Sequence, residues 1–183
     1  MMFALRASVP HFEFELLSST FGTSVLLRIL FVCTGNTCRS PMAEAIFRRL
    51  ASERLGCSED RLLNHNVDVL SAGVAAADSS PASPESIQIL QERGINIAEH
   101  LSQQVTEEML VKSDLILAMT PGHLGVLQNA RPDLASRMRL LNSSGHGISD
   151  PIGCGMEEYR RCADEITGCL ELVLDDCIQK DTE

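Results

Sequence analysis

A nearly unbroken apolar run, Val25 to Val32 (VLLRILFV), leads into Cys33, and a few residues later the pattern changes to helical spacing. A short run of this kind suits a strand buried on both faces of a parallel sheet. From Pro41 to Ala51, Met42, Ala45, Ile46 and Leu50 recur at helical intervals while Arg48 and Arg49 fall on the other side. The alternation then continues. Val67 to Leu70 predicts a second strand, and Ser83 caps a helix that has Pro84 at its first position and stops at Gly94. Asp114 to Met119 predicts a third strand, and Thr120-Pro121 opens a helix to about Asn129. Met138 to Leu141 predicts a short fourth strand, and Met156 to about Cys177 a long final helix. Strands alternating with helices imply an α/β, three-layer fold, a four-stranded parallel sheet with helices on both faces. In such sheets ligands sit beyond the carboxyl ends of the strands. That singles out the loop after the first strand and the polar, Gly-rich loop Asn142 to Gly155.

The remaining composition narrows the setting. The 183 residues, 44% of them hydrophobic and 22% charged, fit one domain over residues 27–178, between an extension at 1–26 and a tail at 179–183. The extension is expected to be poorly ordered rather than a targeting device, because Glu13 and Glu15 interrupt Phe12 to Leu17 and Arg28 breaks the apolar run that starts at Val25. No segment reaches the length of a membrane span. A formal net charge of -10 argues against a nucleic-acid-binding face. It leaves room for a locally held anion, since a few backbone N–H groups and one Arg suffice. Seven Cys are too sparse for a disulfide scaffold and odd in number, which predicts a reducing, cytoplasmic setting. Nothing in the pattern signals assembly, so a monomer or weak oligomer is expected.

The segment Cys33-Thr34-Gly35-Asn36-Thr37-Cys38-Arg39-Ser40 carries the chemistry. Five residues between Cys33 and Arg39 are enough to curl with their N–H groups inward, making an anion nest at a helix N-terminus. Gly35 permits a positive φ and Asn36 tolerates one. Arg39 can fork two phosphate oxygens in a way Lys cannot. At the floor of the cup the helix dipole, the inward amides and Arg39 all favour a thiolate at Cys33, and Ser40 is placed to donate to its sulfur.

The stretch VCTGNTCRSPMAEA, Val32 to Ala45, closely resembles the low-molecular-weight protein tyrosine phosphatase family. The resemblance runs over roughly Leu27 to Val173, through Ser71-Ala72-Gly73, the segment Gly94 to Thr106, DLILAMT and Asp150-Pro151. It implies the same four-stranded parallel fold, Cys33 as nucleophile, Arg39 as transition-state clamp and Asp150 as general acid. It also implies that Thr34, Gly35, Asn36, Thr37, Cys38 and Ser40 bind phosphate while Asn36, Ser71 and His100 brace the loop. Cys33 would attack phosphorus in line, and water would hydrolyse the phosphocysteine, with one carboxyl serving as acid and then base. No cofactor or metal is called for, and the implied partners are phosphorylated proteins.

Two departures bear on the substrate. The family's tyrosine phosphatases generally have an aliphatic residue at Thr37, and Thr there resembles the branch that dephosphorylates arginine in proteins. They also usually place aromatics after the Asp-Pro pair, where this chain has Ile152 and Gly153. Phosphoarginine is therefore the expected substrate, with phosphotyrosine the alternative. Arsenate reduction on this fold needs further cysteines after the second helix, yet Ser71 to Ser149 contains none. A non-catalytic phosphate-binding module would need no thiol. Cys38, five residues after Cys33, is a candidate to trap an oxidised Cys33 as a disulfide. Cys162, Cys169 and Cys177 follow helical spacing with Ile166, Leu170 and Val173, which predicts an apolar stripe rather than a metal site. His11, His65, His123 and His146 read as surface or loop residues, with His146 in the acid loop.

Overall fold

The computed structural model describes residues 26–178. Both the start of the predicted first strand at Val25 and the proposed extension and tail, Leu26 excepted, lie outside these residues. Four strands, β1 (Leu27–Cys33), β2 (Val67–Gly73), β3 (Leu115–Ala118) and β4 (Met138–Leu140), form one parallel sheet in the order β2-β1-β3-β4. The most apolar run thus becomes one of the two central strands, with a neighbour on each side. Its Ile29, Leu30, Phe31 and Val32 are wholly buried.

Alternation along β1 divides the core into two layers. Ile29, Phe31 and Cys33 face the cluster built from α1 (Arg39–Leu55), α2 (Pro84–Glu92) and α5 (Met156–Cys177). Leu30 and Val32 face Leu110 of α3 (Glu107–Lys112) and Leu127 of α4 (Pro121–Ala130). Helices therefore cover both faces, as the sheet's apolar strands require. Phe31 and Phe47 meet as a tilted aromatic pair with centroids 5.9 Å apart.

Local chemistry explains the boundaries. Ser83 and Thr120 accept from the backbone N–H groups of Ser86 and His123, with Pro next in each helix. Gly94 has φ +71, the left-handed stop after α2. α1 begins at Arg39, two residues before the helical spacing becomes visible, because Arg39 and Ser40 are polar yet buried in the site. β2 runs on through Ser71-Ala72-Gly73, so that Gly73 pairs with Cys33. The 3-10 turns at Glu59–His65 and Pro132–Arg137 and the short α3 carry no strong periodicity and were not predicted. Among the described residues, no helix is long and apolar enough to cross a membrane.

Candidate active site

The loop between β1 and α1 closes around a single sulfur. Cys33 Sγ accepts from Asn36 N at 3.2 Å and lies 3.0 Å from Ser40 Oγ. Cys38, the N-cap of α1, offers no side-chain acceptor to the first turn. Among the described residues the N–H groups of Gly35, Thr37 and Cys38 also have no acceptor. These donors gather at a helix N-terminus, where a phosphate group fits by both hydrogen bonding and dipole. The left-handed residue of the loop is Asn36, at φ 55, whereas Gly35 stays at negative φ.

Asn36 holds that conformation because every polar atom it carries is used. It is wholly buried, its Nδ2 donates to Ser40 Oγ and Ser71 Oγ at 2.9 Å each, and its Oδ1 accepts from Gln103 N at 3.0 Å. His100 Nε2 donates to its carbonyl at 2.8 Å, which fixes the proton on that nitrogen. The Ser71 hydroxyl in turn donates a hydrogen bond to Glu44 Oε2 at 2.6 Å. Burial holds the Glu44 carboxyl above its ordinary range, opposed by the Ser71 hydrogen bond and the Arg48 charge. Ser40, Ser71 and His100 therefore all converge on one asparagine, and through it on the sulfur.

Arg39 enters the cup from α1 almost fully buried. Its Nη2 donates to Asp150 Oδ2 at 2.6 Å and its Nη1 to Ile148 O at 3.3 Å. Asp150 is half-exposed, on the Gly-rich loop, so a carboxylate and a guanidinium face each other across the mouth of the loop. Asp150 Oδ1 also accepts from Ile152 N at 3.3 Å, a local turn that orients the carboxyl. The acid loop is anchored to the body by Met119, which follows β3, and by α5. Ile148 N donates to Met119 O at 2.7 Å, and Glu165 of α5 accepts from Ser149 N and Asn142 Nδ2, each at 3.3 Å.

The remaining cysteines divide by burial. All seven are free thiols. Cys38 Sγ lies 3.5 Å from the Tyr159 hydroxyl and 3.7 Å from Thr37 Oγ1. Burial, together with the Cys38 contact, pushes the Tyr159 phenol well above its ordinary range. Cys162 is in the core, and Cys169 and Cys177 pack against it from partly buried positions. Burial raises the Cys162 thiol to about 12 and that of Cys177 to about 11. Cys154, in the acid loop, is exposed. Among the described residues no three His, Cys, Asp or Glu side chains converge where a metal would sit.

His123 corrects the sequence reading. It is buried rather than on the surface, because it is the third residue of α4 and its ring turns back toward the helix cap and the loop after β1. Its Nε2 is 2.8 Å from Thr34 Oγ1 and its Nδ1 3.0 Å from Thr120 Oγ1. His65 and His146 are exposed, and His11 lies outside the described residues. Glu44 and His123 both escaped the sequence reading, although a signal existed for each. Glu44 falls four residues after Ser40, on the same face of α1. His123 falls three after a Thr-Pro cap, where a side chain can fold back on the capping hydroxyl.

A sulfur held by the Asn36 amide and the Ser40 hydroxyl, free amides at a helix start, a buried guanidinium and an opposed carboxylate can together bind a phosphoryl group and accept it covalently. The comparisons agree with that chemistry. The family model described as low molecular weight phosphotyrosine protein phosphatase matches residues 28–183. A protein-arginine-phosphatase of Bacillus subtilis is 38% identical over 146 residues, covering 78% of this chain and 91% of that protein. The solved structure of the YwlE arginine phosphatase from Geobacillus stearothermophilus has a TM-score of 0.70 and 38% identity, covering 81% of this chain and 91% of that one. EpsP of Ralstonia nicotianae, a probable low molecular weight protein-tyrosine-phosphatase, is 33% identical over 146 residues, covering 79% of this chain and 87% of that protein.

Proposed function

The chain belongs to the low molecular weight phosphotyrosine protein phosphatase family, a family of cysteine-dependent phosphatases, and we propose that within it this enzyme removes phosphate from phosphoarginine in proteins. The observation that supports the mechanism is the buried Arg39, which opens α1 at the end of the Cys33 loop and is held 2.6 Å from the acid loop's carboxylate. Phosphate entering the loop competes with Asp150 for Arg39. Once Arg39 forks the equatorial oxygens, Asp150 is released toward the leaving group.

In the first step Asp150, which takes up a proton from solvent once Arg39 has left it, gives that proton to the departing guanidine nitrogen as the Cys33 thiolate forms an S–P bond and the P–N bond breaks. In the second step Asp150 takes a proton from water, the water oxygen bonds to phosphorus, and the S–P electron pair returns to Cys33. The amides of the loop and Arg39 stabilise the charge that spreads over the phosphoryl oxygens in both steps. Thr37 narrows the cup, and its hydroxyl is suited to orient that water.

Three features support the choice of phosphoarginine. They are Thr37 in the loop, Ile152 and Gly153 where a ring-stacking wall would stand, and the protein-arginine-phosphatase names carried by relatives. Ile152 is exposed and presents no aromatic face to a phenol. The deciding experiment compares release of phosphate from phosphoarginine and phosphotyrosine peptides by the wild type and by Cys33→Ser. Faster turnover of phosphoarginine, abolished in Cys33→Ser, is expected. The reverse ranking assigns the enzyme to phosphotyrosine and leaves the two-step chemistry standing.

A further inference from the structure

His123 has no part in the mechanism above, yet it is buried beside the site with both ring nitrogens engaged. Its backbone N–H donates to the Thr120 hydroxyl at 3.3 Å, the cap of α4, and its Nδ1 lies 3.0 Å from that same oxygen. Its Nε2 lies 2.8 Å from Thr34 Oγ1 in the phosphate loop. A neutral imidazole has one donor and one acceptor, and a threonine hydroxyl can meet either. The ring is kept neutral first by burial and then by the Arg39 charge, with Asp150 pulling the other way.

What gives this bridge its meaning is the other contact of Thr120. The acid loop rests on Met119 and Thr120 through Gly147, where an added Cβ would meet Met119 O, Thr120 Cα and Thr120 Cγ2, each at 3.0 Å. Next to it, Ile148 N donates to Met119 O, while Ile148 O accepts from Arg39. A continuous path therefore runs from Thr34 through His123 and Thr120 to Gly147, Ile148 and Asp150. Thr34 immediately follows the sulfur at one end, and the carboxyl stands at the other. The path joins two loops that are remote in the chain and have no other side-chain link besides Arg39 itself among the described bonds between loop side chains.

We infer that His123 is a positioning residue that sets the acid loop against the phosphate loop, placing Asp150 over the leaving group without touching substrate. This rests on the reading of Cys33 and Asp150 as nucleophile and acid. Losing the bridge should impair proton delivery more than phosphate binding. The readout is kcat/KM, which covers the steps up to phosphocysteine formation, where the leaving group departs. p-Nitrophenolate leaves with little help from an acid, whereas phenolate needs its proton.

In His123→Leu the loss of kcat/KM on phenyl phosphate should exceed that on p-nitrophenyl phosphate by about 10-fold, a fraction of what general acid catalysis supplies. Inhibition by inorganic phosphate should change by less than about 2-fold, and Thr34→Val should show the same imbalance between substrates. The double variant should be no worse than the worse single one, since both remove one link. Equal losses on the two substrates, or losses that add in the double variant, overturn the inference. If His123→Leu melts below the assay temperature, His123→Gln, whose amide can still reach Thr34, takes its place. It should show a smaller imbalance of the same sign, and equal losses in it refute the inference as well. Turnover that survives Cys33→Ser instead overturns the reading of Cys33 as the nucleophile, on which this inference rests.

Discussion

Gly73 is the position at which one added methyl group should do most harm to the chemistry while sparing the fold. It ends β2 beside Cys33, and a Cβ there would stand 2.4 Å from Thr34 O, 2.9 Å from Ala76 Cβ and 3.0 Å from Asn36 N. Ordinary contact begins at 3.4 Å, so the Thr34 carbonyl must retreat by about 1 Å. The strand cannot yield instead. Gly73 N donates to Gln103 O at 3.0 Å and Gly73 O accepts from Val105 N at 2.9 Å, which ties it to the far side. The displacement therefore falls on the loop, and on Asn36 N, the donor 3.2 Å from the Cys33 sulfur. A shift of about 1 Å at a reacting centre costs on the order of 100-fold, equivalent to about 2.7 kcal/mol on the barrier. Overpacking alone should cost about 1–3 kcal/mol of stability. Gly73→Ala is accordingly expected to remain folded, by circular dichroism and melting temperature, with kcat/KM on p-nitrophenyl phosphate down about 100-fold. Gly147→Ala, whose Cβ meets its neighbours at 3.0 Å, needs adjustments of only a few tenths of an ångström and should lose less than about 10-fold. A folded Gly73→Ala within about threefold of wild-type activity would refute this account of how the loop is seated.

Two further outcomes follow from burial. A carboxyl raised on folding, as Glu44 is above 4.5, stabilises the fold fully only below its unfolded value, and that contribution is lost as pH rises through the folded one. Glu44→Gln, which can still accept from Ser71, should match the wild type in melting temperature near about pH 4 and exceed it at about pH 7.5; a variant less stable at the higher pH contradicts the burial argument. Iodoacetamide at neutral pH should label Cys154 and leave Cys162 and Cys177 unmodified in the native protein, since burial raises those two thiols to about 12 and about 11; peptide mapping that finds Cys162 labelled as fast as Cys154 contradicts it.

Much of this structure was legible in the sequence where one residue's chemistry acts over a few neighbours. The run ending at Cys33, the Ser83-Pro84 and Thr120-Pro121 caps and the stop at Gly94 each act within one turn or strand, and each is found at or near its expected place. The reading weakened where burial is set by distant segments. Arg39 and Ser40 belong to a helix whose start is polar because it lines a site, so the apolar periodicity shows only from Pro41, and the Cys33–Arg39 spacing is what points to a start at Arg39. The 3-10 turn at Glu59–His65 buries only Leu62 and leaves no period to detect. Within the site, residue types and spacing pointed to the loop and to Asp150; the spacing from Ser40 puts Glu44 on the site's face of α1, but its partner Ser71 comes from β2, which local spacing does not reveal. Nor does anything local reveal that His123 meets Thr34, a residue 89 positions away.

The pairing of Arg39 with Asp150 spans 111 residues of chain, and α5, which packs on α1 and holds the acid loop through Glu165, is the last element described. During synthesis the thiol and its guanidinium therefore leave the ribosome long before their acid and its support. On the proposed roles, a chain that stops short of Asp150 has the nucleophile without the group that protonates the leaving group. On those roles, acid-assisted turnover therefore requires α5 docked on α1 as well as the loop that bears the sulfur.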